Sequence, residues 1–245
     1  MAFQKDEAFV LFKRAYGESD RIIRLFTRSW GKITVIAKGA NKSQKRFMNA
    51  LEPFNYLNVE YFEKQGRGMA RLENADIIET NDGIERSFSK SCVASFFTEL
   101  VDRLTKEREP HETLFLTLRG LLKSVKDREF VYSDVLYYQF QILNLMGFMP
   151  NLDSCVYCGA TVPEDQKIYF SKQRGGILCR KCSTSIPGTR YSRFVIPNLV
   201  LIKNQEGVPL SIGFKSQVQD MLEGFMSYHL DVEFKSYKLM KKSVL

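Results

Sequence analysis

Four cysteines in two pairs are the residues of this sequence whose types and spacing point most clearly to chemistry. Two residues separate Cys155 from Cys158, and the same spacing recurs at Cys179 and Cys182 after twenty intervening residues. Two such pairs can direct four thiolates at one Zn²⁺, which binds sulfur tetrahedrally at about 2.3 Å. Two disulfides or a redox-active pair are the alternatives. We predict one structural zinc ion per chain with these four ligands.

The sequence offers no candidate catalytic residues. A fourth thiolate leaves no open position on the metal for water or substrate, so the predicted zinc stabilises the fold and does not catalyse. Only two histidines occur, His111 and His229, and His111-Glu112 lacks the second histidine of a zinc-protease motif. A phosphate-binding G-x-x-x-x-G-K-[ST] loop and a G-x-S-x-G elbow are also missing. We predict that the chain is not an enzyme.

Basic residues are concentrated near the N-terminus. Between residues 13 and 46 there are ten Lys and Arg, opposed only by Glu18 and Asp20, so this stretch holds an excess equal to the net charge of +8 of the whole chain. Such a local excess is typical of a surface that binds a polyanion. A solvated charged face is the alternative.

The loop at residues 38–47 suits a single-stranded nucleic acid, because Lys and Arg can contact phosphates while an aromatic ring stacks on a base. Trp30, between Arg28 and Lys32, is a second stacking candidate, although packing inside the fold would also explain Trp30 and Phe47. The predicted nucleic-acid contacts are Arg14, Arg28, Trp30, Lys32, Lys38, Lys42, Lys45, Arg46 and Phe47.

The elements that must position these residues change character near residue 80. Short runs of β-branched and aromatic residues with intervening turns predict five strands, at residues 8–12, 21–27, 32–38, 54–62 and 70–78. Five strands with one longer basic loop predict a small closed barrel, and the OB-fold is the obvious choice.

From Ile84 onward the apolar spacing becomes helical. The pattern predicts three helices before the cysteines and about two after them, the first with Asn81-Asp82 at its N-cap. We therefore predict an α+β multidomain protein with four segments: an OB-fold at 1–80, a helical domain at 81–150, an inserted zinc module at 151–187 and the second part of the helical domain at 188–245.

The sequence also predicts a cytoplasmic location. The charged N-terminus does not match a signal peptide, and no apolar run approaches the roughly 20 residues that cross a bilayer. A four-thiolate zinc site suits a reducing compartment. We predict no membrane association.

The order of parts resembles the bacterial recombination mediator family RecO. The resemblance spans essentially the whole chain and is carried by short motifs: residues 16–20 (Tyr-Gly-Glu-Ser-Asp), Phe26-Thr27 with Gly31, residues 37–40 (Ala-Lys-Gly-Ala), residues 51–54 (Leu-Glu-Pro-Phe), the four cysteines, and His229-Leu230, Lys235-Ser236 and Leu239 near the end. Asn41 departs from the family pattern, in which Arg often follows Lys-Gly-Ala.

The resemblance implies an OB-fold followed by a helical domain with a zinc module. It further implies binding to single- and double-stranded DNA, annealing of complementary strands, and work with RecR to load RecA onto DNA coated by single-stranded-DNA-binding protein. The acidic C-terminal tail of single-stranded-DNA-binding protein is a further partner that the resemblance implies. RecA is implied only as an indirect partner. We expect a monomer when free, associated with the nucleoid when active. A protein-interaction module with no direct DNA role and a nucleic-acid-processing enzyme are the alternative functions.

Overall fold

The computed structural model describes residues 2–43, 46–63, 69–163, 168–209, 212–231 and 233–244. The chain forms two compact units, one from residues 1–129 with 236–243 and the other mainly from residues 130–235.

The first unit is built on a closed barrel of five strands in the order β1-β2-β3-β5-β4. The strands are β1 (Ala2–Tyr16), β2 (Asp20–Thr27), β3 (Gly31–Ala37), β4 (Tyr56–Glu63) and β5 (Ala70–Glu79). All neighbours are antiparallel except β3 and β5, which run parallel. The predicted OB-fold barrel is confirmed.

Strand β1 is much longer than the predicted five-residue run. Its first half pairs with β4, from Ala2 opposite Glu63 to Phe9 opposite Tyr56, and its second half pairs with β2 as far as Tyr16 opposite Asp20. The ends of β1 are rich in polar residues because only its centre faces the barrel core, so apolar patterning could not reveal its full length.

Alternate residues of the strands fill the barrel. Leu25, Val35 and Tyr61 are completely buried there, together with Phe47 and Leu51 from the connection between β3 and β4. These last two side chains anchor the long connection to the core.

Four helices complete the first unit: α1 (Asp82–Glu85), α2 (Phe88–Leu104), α3 (Glu112–Asp127) and α7 (Lys235–Ser243). The predicted first helix is broken, because the Ser87 hydroxyl accepts a hydrogen bond from the Lys90 N–H and starts α2 afresh. His111 caps α3 in the same way through Nδ1, which accepts from the Leu114 N–H at 3.2 Å. Asn81 precedes α1 but its side chain makes no capping hydrogen bond.

Helix α3 packs on the outside of the barrel through the buried ring of Phe115. This ring lies 5.1 Å from that of Phe9 and 5.9 Å from that of Phe26, centroid to centroid. The turn between β2 and β3 also meets the segment before α3: Gly31 has a φ of +66°, and a Cβ there would overlap the Glu109 carbonyl. Only glycine fits this approach.

The second unit contains helices α4 (Tyr132–Leu145), α5 (Val195–Asn204) and α6 (Ile212–Leu230). Between α4 and α5 lies a three-stranded antiparallel sheet in the order β7-β6-β8, formed by β6 (Ile168–Ser171), β7 (Gly176–Leu178) and β8 (Thr189–Tyr191). Gln141 of α4 donates to the Lys203 carbonyl of α5 at 3.2 Å. The predicted helical region with an inserted cysteine module is confirmed. Across the described ranges, no helix combines the length and hydropathy needed to span a membrane.

Candidate nucleic-acid interface and metal centre

Most basic residues between positions 13 and 46 form ion pairs within the first unit. Their partners are mainly acids from outside that stretch, which a local charge count does not include. The pairs are Lys13–Glu52, Arg21–Glu52 (3.6 Å), Arg24–Asp102, Lys32–Asp102 (3.4 Å), Arg28–Glu112 (2.7 Å), Lys38–Asp20 (2.8 Å) and Arg46–Glu73 (3.8 Å). These seven cations share five carboxylates, so the fold itself offsets a substantial part of the positive charge of the stretch.

Lys32 is a structural residue in this unit. It is 9% exposed, and its ammonium donates to the backbone carbonyls of Asp102 and of Thr105, the latter at 2.6 Å, besides its ion pair with Asp102. These bonds attach β3 to the C-terminal end of α2. A buried ammonium with its donors occupied cannot contact a phosphate, so the prediction for Lys32 is corrected.

Phe47 is 3% exposed and belongs to the barrel core. The Arg46 guanidinium lies over its ring, 4.5 Å from the centroid. Since no face of this ring is open, Phe47 cannot stack on a base in this structure, and packing is the better interpretation.

The predicted contacts fall at two ends of the barrel. Arg28 and Trp30 lie at the turn between β2 and β3, whereas Lys38 follows the other end of β3, where Ala37 pairs with Arg21. A seven-residue strand separates the two ends by roughly 20 Å. The structure does not bring Trp30, which is 43% exposed, together with the loop at residues 38–43.

Arg14 and Lys42 differ from the other cations of the stretch. Both are exposed, and neither has an ion pair with any residue that the structure describes. Lys45 lies outside the described residues and stays a prediction. Of the predicted phosphate contacts that the structure describes, Arg14 and Lys42 are the two whose charges are free to meet an anion.

Arg14 stands between two exposed aromatic residues on β1. Phe12 is 44% exposed and Tyr16 is 49% exposed. Residues i, i+2 and i+4 of a strand share one face, so the three side chains form a row of ring, guanidinium and ring. Sequence reasoning missed Phe12 and Tyr16 as binding candidates, although the alternation Phe-x-Arg-x-Tyr was the signal that could have identified them.

The loop at residues 38–43 is held by Asp20. Its carboxylate accepts from the Lys38 ammonium at 2.8 Å, the Gly39 N–H at 2.9 Å and the Ser19 hydroxyl at 3.0 Å. The hydrogen bond from Lys38 and that from the Gly39 N–H lower the pKa of Asp20 to about 2. Asp20 therefore fixes the base of the loop and leaves Lys42 exposed beyond it.

A shallow cleft of about 20 Å³ separates the barrel from α3 within the first unit. Phe54 and Tyr56 line it on the barrel side, and Arg119, Lys123 and Lys126 line it on the helix side. The Arg119 guanidinium lies over the Tyr56 ring, 4.7 Å from the centroid. Glu79 also lines the cleft and lies 3.9 Å from the Lys126 ammonium, so Arg119 and Lys123 are the cations beside the aromatic surface that have no ion pair among the described residues.

In the second unit, the four cysteines form one cluster that could hold a metal ion. Their sulfur atoms all lie within 4.8 Å of one another, and Cys158 Sγ lies 3.8 Å from Cys179 Sγ. Ligands at about 2.3 Å around a tetrahedral ion would be about 3.8 Å apart. All four cysteines are free of disulfides, so the cluster matches the predicted ligand set.

Hydrogen bonds of the backbone position the cysteine turns. The Val156 N–H donates to the Ile177 carbonyl at 2.9 Å, and the Asn151 N–H donates to the Gly175 carbonyl at 2.9 Å. A Cβ at Gly176 would overlap Val156 and lie 2.6 Å from the Asn151 oxygen. Glycine at this position lets the first cysteine turn lie directly against β7.

The thiols respond differently to this environment. Burial favours the neutral thiol of Cys155, but N–H groups of Cys179, Cys158 and Tyr157 donate to its sulfur and lower its pKa to about 6. At Cys182, burial and the neighbouring thiols raise the pKa to about 12. Burial and the neighbouring sulfurs thus oppose a negative charge on Cys182, and a cation between the four sulfurs would remove that opposition.

The comparisons with known proteins agree with the arrangement of barrel, helices and cysteine cluster. The family model for the recombination protein O N terminal domain matches residues 1–81, and that for the recombination protein O C terminal domain matches residues 85–238. The chain belongs to the RecO family. Family membership gives it a role in DNA repair and recombination.

Individual relatives match over nearly their full length. The DNA repair protein RecO of Thermoanaerobacter sp. (strain X514) is 33% identical over 247 residues, which cover 96% of each chain. That of Myxococcus xanthus (strain DK1622) is 34% identical over 241 residues, again 96% of each chain. That of Syntrophus aciditrophicus (strain SB) is 36% identical over 184 residues, 75% of this chain and 71% of the relative. The predicted RecO resemblance is confirmed.

Proposed function

We propose that this RecO-family protein binds single- and double-stranded DNA and anneals complementary strands. With RecR, it would help to load RecA onto DNA coated by single-stranded-DNA-binding protein. In this proposal the barrel within residues 1–80 carries a DNA site, the segments at 81–150 and 188–245 form the helical domain, and the module at 151–187 carries the metal.

The row of Phe12, Arg14 and Tyr16 on β1 is the observation that carries this proposal. Exposed rings on a barrel strand can stack on bases, which contributes about 1–3 kcal/mol per base, while Arg14 and Lys42 can contact phosphates. These cations suit the role because they need not break an internal ion pair to meet DNA. Phe12 and Tyr16 take the stacking role that Phe47 cannot perform.

Annealing needs cations because two strands of like charge must approach each other. Unpaired cations lower this repulsion by neutralising phosphates, which releases the counterions condensed on each strand. Rings that bind bases without reading their sequence leave complementary pairing to decide the product. No step requires nucleotide hydrolysis, and the proposal assigns no catalytic residue.

We also propose that the cysteine cluster binds one structural Zn²⁺. Four sulfur ligands at tetrahedral spacing favour zinc over the harder cations, which prefer oxygen. Cys155, Cys158, Cys179 and Cys182 would fill its coordination shell, so the ion would stabilise the module without providing a reactive position.

For the acidic tail of single-stranded-DNA-binding protein, we propose the cleft beside α3. Arg119 and Lys123 are four residues apart on α3, so their charges lie on one side of the helix, whereas Lys126 is engaged by Glu79 and the Thr80 carbonyl. The rings of Phe54 and Tyr56 offer apolar contact next to them. The cleft is narrow, so a bulky side chain of the tail would have to widen it.

An annealing assay with two complementary fluorescent oligonucleotides tests the proposed function. The parent should accelerate duplex formation in the absence of nucleotide, and Arg14→Ala/Lys42→Ala should slow it severalfold. Phe12→Ser/Tyr16→Ser should lower the affinity for a single strand by about thirtyfold or more, because base stacking is lost at two rings.

Arg86→Ala/Arg103→Ala is the matched control, because both arginines are exposed and unpaired among the described residues and lie on or beside the helices. This control should anneal like the parent. A parent that neither binds an oligonucleotide at low salt nor accelerates annealing would contradict the proposal. Equal annealing rates for all variants would show that the barrel does not carry the DNA site.

A further inference from the structure

The sheet of the cysteine module carries positive charge that no acid of its own sequence opposes. Residues 168–193 contain no Asp or Glu but six basic residues: Lys172, Arg174, Arg180, Lys181, Arg190 and Arg193. All six are exposed, and none forms an ion pair with another residue in the part of the chain that the structure describes. This is the reverse of the barrel stretch, where most cations are paired.

The metal site accounts for part of this charge. Four thiolates around a divalent cation carry a net charge of −2, which must be included in the local balance. Arg180 and Lys181 lie between two of the cysteines and suit this charge as counterions. Lys172, Arg174, Arg190 and Arg193 remain.

Two of the remaining arginines lie beside exposed aromatic rings. The Arg174 guanidinium is 5.9 Å from the ring centroid of Tyr157, which is 61% exposed, and that of Arg193 is 4.7 Å from the ring of Phe194, which is 59% exposed. Proteins bind single-stranded nucleic acids with this combination of an exposed ring and a neighbouring cation: a base stacks on the ring, and the cation contacts the phosphate of that nucleotide.

The sheet sets the spacing of these two pairs. Arg174 follows the end of β6, whereas Arg193 lies two residues beyond Tyr191, which pairs with the beginning of β6. Arg190 pairs with Tyr169 in the middle of the same strand. A four-residue strand is roughly 13 Å long, so the register places the two arginine–ring pairs at opposite ends of a strand of about that length, with Arg190 between them in the pairing order.

We propose that Tyr157, Arg174, Arg190, Arg193 and Phe194, called here the module surface, form a second binding site for single-stranded DNA. The inference rests on the proposed function only in that the chain must bind DNA at all. Single strands are the fitting ligand because their bases can leave the stack and cover the two rings, whereas the bases of a duplex cannot.

A neighbouring cavity of about 450 Å³ is not part of the module surface. It lies between the sheet and α6 and is lined by Phe170, Tyr191 and the carboxylate of Asp220, among others. A carboxylate repels phosphate, so the path of the strand is expected to follow the arginines instead.

The test compares Arg174→Ala/Arg193→Ala with the control Arg86→Ala/Arg103→Ala. Affinity for a fluorescent oligonucleotide is measured across a salt series. Each lost phosphate contact to a single strand makes the negative slope of log K against log salt shallower by about 0.7, so the slope of the module variant should be shallower by about 1.4 and that of the control unchanged. Arg174→Lys/Arg193→Lys should recover the slope, because charge is kept. Far-UV circular dichroism and metal content should match the parent in every variant.

An oligonucleotide with abasic positions tests the rings. The parent should bind it about tenfold or more weakly than the normal strand, and Tyr157→Ser/Phe194→Ser should reduce this difference. A module variant whose slope equals that of the parent, while Arg14→Ala/Lys42→Ala lowers it, would overturn the second site but leave the proposed function intact. Loss of affinity for an acidic peptide alone, with oligonucleotide binding unchanged, would also overturn it. Absence of oligonucleotide binding by the parent would instead refute the proposed function.

Discussion

The ammonium of Lys32 lies 3.4 Å from the carboxylate of Asp102, and the side chains are only 11% and 12% exposed. This pair connects a barrel strand to helix α2. Lys32, which the sequence pattern predicts as a DNA contact, therefore stabilises the fold instead. Arg24 contributes a second cation to the same carboxylate. One carboxylate of the helix thereby engages two cations of the basic stretch and offsets one of their two charges.

Replacing Lys32 by Met tests this assignment. The substitution leaves the Asp102 carboxylate with Arg24 alone and removes donors from two buried carbonyls, so we expect a loss of about 2–4 kcal/mol in the free energy of unfolding. Affinity for single-stranded DNA, measured at a temperature where the variant is folded, should not change. Urea unfolding gives the first quantity and an oligonucleotide titration the second. Full stability with weakened DNA binding would contradict the structural role.

Phe115 tests the attachment of α3 to the barrel. Its ring is fully buried against Phe9, Phe26 and Tyr56. Phe115→Ala should cost about 3–5 kcal/mol, because a cavity would remain between helix and barrel. Phe115→Leu should cost clearly less, and a thermal unfolding series compares them. Similar midpoints for Phe115→Ala and the parent would show that the ring does not join the two elements.

Asp20 predicts an acid-sensitive loop. Because its pKa is lowered from 3.8 to about 2 in the folded state, its ionisation stabilises the fold above about pH 4. That contribution should disappear as the pH falls from about 4 to about 2. Asp20→Asn should be less stable than the parent at neutral pH, with the difference vanishing near pH 2. Unfolding midpoints measured along this range check the prediction, and a constant difference would contradict it.

The cysteine cluster predicts a metal-dependent module. Purified protein should contain about one zinc ion per chain, and Cys158→Ser should lose most of it, while Cys92→Ser, at a buried cysteine of the first unit, should keep it. After chelation most of the far-UV helical signal should remain, because the helices have their own buried apolar faces. A cooperative loss of that signal would show that the metal stabilises the helices as well.

Gly176 provides a mutation in the same module that leaves all four ligands intact. An added Cβ would overlap Val156 and approach the Asn151 carbonyl, so Gly176→Ala should displace the first cysteine turn. We expect the variant to bind zinc at least tenfold more weakly than the parent, measured by competition with a chromophoric chelator. Gly207→Ala is the control for a substitution at glycine, because an added Cβ there would meet nothing within 4 Å. Gly207 has a φ of +75°, so this control can lose stability through backbone strain, but the position is remote in sequence from the cysteines and zinc affinity should not change.

The parts that sequence reasoning predicted are those set by short-range patterns. Paired cysteines at fixed spacing predicted the cluster, and alternating or helical apolar spacing predicted the barrel and most helices. The full length of β1 was not predictable from its polar ends, because that strand is defined by its partners β2 and β4. The three-stranded sheet of the module was missed for a similar reason, since its strands have only three or four residues.

The candidate DNA contacts were the harder part, because charge was counted along the chain. Glu52, Glu73, Asp102 and Glu112 lie outside the basic stretch in sequence but neutralise it in space. The burial of Phe47 likewise depends on where the connection between β3 and β4 folds back onto the barrel. Neither effect is encoded within a window of neighbouring residues.

We therefore infer that, within the basic stretch at residues 13–46, the unpaired cations bind DNA and the ion-paired cations build the fold. The most direct measurement compares two double variants that each lose two positive charges from the same stretch. In Arg14→Ala/Lys42→Ala both cations are unpaired among the described residues, whereas in Arg28→Ala/Arg46→Ala both are ion-paired. Affinity for a single-stranded oligonucleotide is followed across a salt series.

In the first variant the negative slope of log K against log salt should become shallower by about 1.4, and in the second it should not change. The opposite order, or an equal loss in both variants, would contradict the claim.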